Sequence, residues 1–269
     1  MSDDTALVRD PKERRKHLVR YLHDRSSVLA GMCRGRELNS DRLIDLAVAA
    51  ATQNPKLLEC TPASWVMALM DSAWYGIEPN PHLALGYLVP YQNRKRNVRE
   101  VQFMLGYKGL MTLAYESAKV TGIFTRLVYE RDDFSIAWER EWEGSAPFVH
   151  RPSAADDRGD VTHVYTVIVH EQRLFSFHPL TRREVDFYRS KSQRSDDGPW
   201  RDHWAAMARK TSIRRALADL PIRSGSPLEA VIRQERARDD GQDGHLFSWD
   251  GENAPAGRLI EENAHAREG

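Results

Sequence analysis

From Leu85 to Glu116 the chain reads LGYLVPYQNRKRNVREVQFMLGYKGLMTLAYE. Tyr87, Val89 and Tyr91 fall on one face of an alternating run. In a second run Val101, Phe103 and Leu105 point one way, and Glu100, Gln102 and Met104 the other. Period-2 alternation on both sides of a polar, turn-forming segment predicts a β-hairpin. Pro90 lacks a ladder donor, which predicts an edge strand. Leu110, Leu113, Ala114 and Ser117 then recur at the spacing of one helical face. The pattern therefore predicts a strand–strand–helix unit whose hairpin loop carries Arg94, Lys95, Arg96 and Arg99.

The flanking regions alternate between helical and strand patterns. Pro11 to about Met32 is basic and helix-compatible, with Leu18, Leu22 and Leu29 as anchors. Asn39, Ser40 and Asp41 offer N-caps for a helix holding Leu43, Ile44, Leu46, Ala47 and Ala50. Thr61-Pro62 opens a helix containing Trp65, Met67, Leu69, Met70 and Trp74, and Gly76 is placed to end it. Core packing accounts for that apolar stripe. Strands are predicted at Ile123–Glu130, Phe134–Trp138 and Val161–His170, with Leu174–Phe177 pairing to the last. Ser145–Gly159 reads as a loop. Thr181 and Glu184 have capping-box spacing and open a helix to about Ser190. A further helix is predicted from about Trp200 to Leu220, stopped by Pro221. On it Ala206, Ile213, Leu217 and Leu220 form a core face. Trp200, Trp204, Met207, Thr211, Arg214 and Arg215 form the other, with Arg209 and Lys210 flanking the core stripe. Pro227–Arg238 suits a last short helix.

The predicted fold class is α+β: a small antiparallel sheet including a basic β-hairpin, packed by several helices. Residues 1–35 form an N-terminal helical, oligomerisation segment in this reading. Residues 36–235 form the core, and 236–269 a disordered acidic tail rich in Gly, Asp, Glu, Asn and Ala.

Composition changes the picture in three ways. Lys plus Arg and Asp plus Glu each total 39, so net charge says nothing about a polyanionic partner. Their distribution does. The stretch from Glu235 to Gly269 holds four Arg and nine acids, leaving the body with 35 basic against 30 acidic groups. Cys33 and Cys60 are too few for a disulfide framework or an unaided zinc site, which points to a reducing cytosol. No apolar leader or spanning run is present, so a soluble protein is expected.

Signatures of enzyme chemistry are missing. The sequence has no phosphate-loop motif, and Gly106-Tyr-Lys-Gly109 is too short to serve as one. There is no G-x-G-x-x-G and no nucleophile elbow. His163, His170 and His178 alternate with apolar strand residues, not at zinc spacing. Asp132, Asp133, Glu139, Glu141 and Glu143 could gather Mg²⁺ for a nuclease, but a turn and a charged strand explain them more simply. What remains is cations interleaved with aromatics, the composition of a single-strand binder. The candidate contacts are Arg94, Lys95, Arg96 and Arg99 in the hairpin, and Tyr107 with Lys108 after it. Arg182 and Lys191 follow on the capping-box helix. Trp200, Arg201, Trp204, Arg209, Lys210, Arg214 and Arg215 complete the set.

Four runs sharpen this reading: LGYLVPYQN, LGYKGLMTLA, His150-Arg-Pro152 before THVYTV, and GPW..HW..MA.KTSIRR...LP. Together, in this order and at this spacing, they resemble the RecT family of phage and prophage recombinases. The resemblance runs from about Asp41 to Pro221. It implies ATP-independent binding of single-stranded DNA, annealing of complementary strands, limited strand invasion, and assembly into rings or filaments. It also implies a 5′→3′ exonuclease and a host single-strand binding protein as partners, in a bacterial cytoplasm and from a phage or prophage gene. No cofactor is implied, with Mg²⁺ at most a DNA counterion. A passive single-strand binder that protects but does not anneal is the competing class, and the metal nuclease a third.

Overall fold

A computed structural model describes residues 10–93, 96–117, 120–141, 145–171, 175–191, 199–220 and 225–239. The chain divides into two compact units, Met1–Gly109 with Arg233–Gly269, and Leu110–Ile232.

The first unit is built round one helix. α1 (Pro11–His23) starts with Pro11 at its first position and the Asp10 carboxylate accepting from the Lys12 amide. The basic helix predicted to Met32 breaks at Asp24–Arg25, where Arg25 lies 3.5 Å over the Tyr21 ring and donates to the Tyr21 carbonyl. α2 (Ser26–Cys33) follows, then α3 (Ser40–Gln53), capped by Asn39 as predicted. α4 (Pro62–Tyr75) is buried on almost every side, with Trp65, Met67, Leu69 and Met70 in the core. A helix apolar all round belongs at the centre of its unit. Gly76 ends it with φ +68°, the left-handed position that favours glycine. Cys33 and Cys60 are both buried and unbridged.

β1 (Gly86–Asn93) and β2 (Val98–Leu105) form the hairpin, a two-stranded antiparallel sheet with Pro90 opposite Val101. The first turn of α4 closes the β2 edge. The Val101 amide donates to Ser64 Oγ, Ser64 Oγ donates to the Thr61 carbonyl, and the Thr61 amide donates to the Arg99 carbonyl. Val101, Phe103 and Leu105 are buried as the alternation predicts. Glu100 and Gln102, on the opposite face of the strand, are buried as well, at 2% and 1% exposed. The Glu100 carboxylate keeps partners there, accepting from Asn93 Nδ2 at 2.9 Å and from Arg96 at 3.4 Å. Period 2 assigns residues to a face but not whether that face is covered.

α5 (Tyr107–Ser117) begins straight after β2, and two glycines set its position. A Cβ on Gly106 would lie 2.0 Å from the Ala84 carbonyl oxygen, and one on Gly109 2.3 Å from that of Leu85. Leu110, Leu113 and Ala114 are buried, as their spacing predicts.

The second unit is a three-stranded antiparallel sheet with a small hairpin on one face and helices on the other. β3 (Val120–Tyr129), β6 (Val161–His170) and β7 (Phe175–Thr181) run in the order β3-β6-β7. β4 (Asp133–Ile136) pairs with β5 (Phe148–Arg151), a strand inside the stretch predicted as loop. Four residues are too few for alternation to register, so only the pairing reveals it. Phe134, Ile136 and Phe148 of this hairpin pack on Val128, Tyr165 and Phe177 of the larger sheet. α6 (Arg182–Lys191) carries the predicted capping box, the Thr181 amide donating to Glu184 and the Glu184 amide to Thr181 Oγ1. α7 (Pro199–Asp202) is one turn, and α8 (Trp204–Ala218) packs across β6, β7 and β3. Ser212 of α8 and Thr166 of β6 share a buried 2.7 Å hydrogen bond.

α9 (Pro227–Asp239) is the last described element. Its Gln234 belongs to the first unit, where it accepts from the Tyr75 hydroxyl and donates to Asp71 of α4. The acidic tail beyond Asp239 lies outside the described residues, as do Leu174, Pro221 and the polar loop after Lys191.

Candidate nucleic-acid interface

The hairpin cations are less available than their density suggests. Arg94 and Lys95 lie outside the described residues. Arg96 donates to the buried Glu100, and its own amide donates to Asn93 Oδ1. Arg99 is paired with Glu59. Tyr107 and Lys108 occupy the first turn of α5, with Tyr107 half-buried and Lys108 exposed.

The second unit brings cations and rings together on α6 and α8. The Arg182 guanidinium lies 4.0 Å over the Trp204 ring, and Asp186 holds both, accepting from Arg182 at 2.9 Å and from Trp204 Nε1 at 3.4 Å. Lys191 Nζ sits 5.2 Å from the Phe187 ring centre. Arg215 lies 5.3 Å over Tyr188, whose ring meets Phe187 edge-on. Arg209, Lys210 and Arg214 are half-buried along α8. Arg201 pairs with its neighbour Asp202.

Trp200 departs from its predicted place. It is 5% exposed and packs with Leu127, Val164, Val185 and Ala208, so its ring has no face open to a base. The helix breaks at His203, so Trp200 belongs to α7, and a 100° projection from α8 cannot fix its direction. On α8 itself Thr211 is buried and Ala206 exposed, reversing their predicted sides, while Ile213 and Leu217 are core as predicted.

The carboxylates considered for Mg²⁺ do not converge among the described residues. Asp132, with no exposed side-chain surface, accepts from Arg158 Nε at 2.9 Å and Nη2 at 2.5 Å. It also accepts from the amides of Tyr129 and Ser153, and lies 3.0 Å from His150 Nε2. These donors, Arg158 foremost, hold its carboxyl well below the usual carboxylate range. His150 Nδ1 is 3.0 Å from the Tyr165 hydroxyl, and burial pushes that phenol up. An ionised Asp132 can only accept, so His150 Nε2 carries the proton and Nδ1 accepts from Tyr165 in the neutral ring. Asp133 pairs with Arg151 at 3.0 Å. Glu143 lies outside the described residues.

Two ring residues of the array, Phe187 and Tyr188, were absent from the sequence candidates. A signal existed: Val185 anchors α6 in the core, and Phe187 lies about 200° round the helix from it, facing outward.

With this geometry in hand, likeness to known proteins decides the class. The RecT family model matches residues 41–243, well over half of the chain. The chain belongs to the RecT family. It is 34% identical over 189 residues to Protein RecT of Escherichia coli (strain K12), covering 70% of this chain and 68% of that one. It is 24% identical over 186 residues to the Bacillus subtilis (strain 168) protein YqaK, described as uncharacterized, covering 68% of this chain and 60% of that one.

Several RecT-like runs turn out to be scaffold. His150-Arg-Pro152 and THVYTV are joined by the His150–Tyr165 hydrogen bond, which ends on Asp132. THVYTV and KTSIRR are joined by Thr166 and Ser212. The glycines of LGYKG admit the Ala84–Leu85 backbone. The cations Lys210, Arg214 and Arg215 are the part of KTSIRR left outside the core.

Proposed function

We propose that this RecT-family protein binds single-stranded DNA along the cation–ring array of α6 and α8 in the second unit, with the basic hairpin of the first unit as a separate contact, and anneals complementary strands without ATP. The recombination and annealing class rests on family membership. The contact surface rests on one observation: three cations, Arg182, Lys191 and Arg215, each lie over an aromatic ring in one unit. Single-strand binders pair backbone-tracking charge with stacking rings in this way.

The energetics need no nucleotide cofactor. Two complementary strands repel through their phosphates, and bound cations relieve that repulsion on one of them. Correct pairing then releases stacking energy of about 1.4 kcal/mol per base-pair step. Short mismatched encounters release less and dissociate. In the same reading subunits associate head to tail, through residues 1–35 among others, since heterologous contacts extend a groove into rings or filaments. The protein works in the bacterial cytoplasm behind a 5′→3′ exonuclease, alongside the host single-strand binding protein. Mg²⁺ serves only as a counterion. The acidic tail docks a partner or competes with DNA. Among the described residues no helix is long and apolar enough to cross a membrane.

Complementary labelled oligonucleotides mixed with pure protein, without ATP, test the proposal. Annealing is expected to accelerate. Blocked pairing identifies a passive binder, and shortened strands a nuclease. Arg215→Ala, like Lys95→Ala, is expected to weaken binding on all sequences and to lower the slope of log affinity against log salt by about 0.7. Trp204 behaves differently. Its ring lies under Arg182 and packs, half-buried, against the core cluster that includes Val185 and Ala208, so Trp204→Ala is expected to cost about 3 kcal/mol of stability in a urea melt, the low end for a tryptophan.

A further inference from the structure

Resting on the single-strand reading above, we infer that Phe187 is a base-stacking subsite, with Lys191 beside it as the phosphate contact of the same nucleotide. Tryptophan would be the natural platform, but neither tryptophan of this region offers one. Trp200 is in the core, and the Trp204 ring is occupied by the Arg182 guanidinium. Phe187 is the contrasting case, 56% exposed on a helix whose core anchor, Val185, is fully buried.

The charge around the ring selects the ligand. Both acids of α6 are engaged, Glu184 in the capping box with Thr181 and Asp186 with Arg182 and Trp204. Lys191 Nζ lies over the ring at 5.2 Å from its centre, farther than the 4.0 Å of Arg182 on Trp204, and the ring still keeps its exposure; Arg215 lies over the adjoining Tyr188. An exposed phenyl among cations matches a nucleotide, which presents an uncharged π-face and an anionic phosphate together. The edge-on contact with Tyr188 at 5.7 Å braces the ring and limits the freedom lost on binding.

Abasic DNA separates stacking from charge. Wild type, Phe187→Ala and Phe187→Tyr are titrated with oligothymidylate and with an abasic oligonucleotide of equal length, across a salt series. A thermal melt first establishes that the variants fold. Phe187→Ala is expected to lose roughly 5- to 150-fold in affinity for oligothymidylate, the range for one stacked base, with the salt slope unchanged. Its affinity for the abasic strand should equal that of wild type, and Phe187→Tyr should restore binding to oligothymidylate. Equal loss on both strands, or no loss on either, overturns the subsite. So does a variant whose only change is weaker self-association in sedimentation, since the ring would then be a contact between protein subunits. A wild type that binds neither strand overturns the single-strand reading itself.

Discussion

Asp132→Ala is expected to lower the stability of the second unit by about 3 kcal/mol, the low end of the range for breaking a buried ion pair. The carboxylate has no exposed side-chain surface and receives hydrogen bonds from Arg158, from His150 and from the amides of Tyr129 and Ser153. Removing it strands all of them. Arg158 keeps 29% of its side chain exposed and can turn toward water, which sets the low end. The loss extends past the pair, because His150 carries the link on to Tyr165, against which Phe134 and Phe148 pack. The pH dependence has a defined sign. The folded carboxyl lies below its unfolded value, so its contribution is full above the ordinary carboxylate pKa and declines as pH falls below about 4. Urea unfolding at stepped pH should therefore show a shallower acid loss in Asp132→Ala than in wild type. Equal stability of the two at neutral pH would mean the cluster contributes nothing.

Gly106→Ala is expected to cost about 3 kcal/mol or more, at the upper end of overpacking penalties. The added methyl would meet the Ala84 carbonyl oxygen at 2.0 Å and its carbon at 2.7 Å. Both are backbone atoms and cannot rotate aside. The Gly106 amide is tied to the Leu85 carbonyl at 2.8 Å, and Ala84 already holds a positive φ of 56°, so neither side yields cheaply. The first turn of α5, with Tyr107 and Lys108, would shift with it. Gly31→Ala is the control, a helical glycine with nothing within 4 Å of its Cβ position. It should stabilise by about 0.5–1 kcal/mol. Chemical melts of the pair suffice, and a Gly106→Ala protein as stable as wild type would show that the Ala84 loop is not fixed.

Features of short range were legible along the chain. Asn39 caps α3, Gly76 takes the left-handed position after α4, and Thr181 and Glu184 close a capping box. The hairpin register places Val101, Phe103 and Leu105 in the core as their alternation required. Each of these depends on residues a few positions apart, so local spacing carries the information. The family-bearing motifs were legible for the same reason, being short and ordered.

Only the tertiary structure decided what covers each face and which ring stays open. Alternation put Glu100 and Gln102 opposite the core, and the fold buried that side too. A helical projection ran Trp200 and Trp204 together, but the break at His203 released Trp200 into the core, and Arg182 closed over Trp204. Asp132 looked like a turn residue until Arg158 and His150, 26 and 18 positions away, met it. Phe187 gained its candidacy from what its neighbours buried. Periodicity reports which residues share a face of their own element, while burial and pairing depend on other elements whose approach no local pattern records.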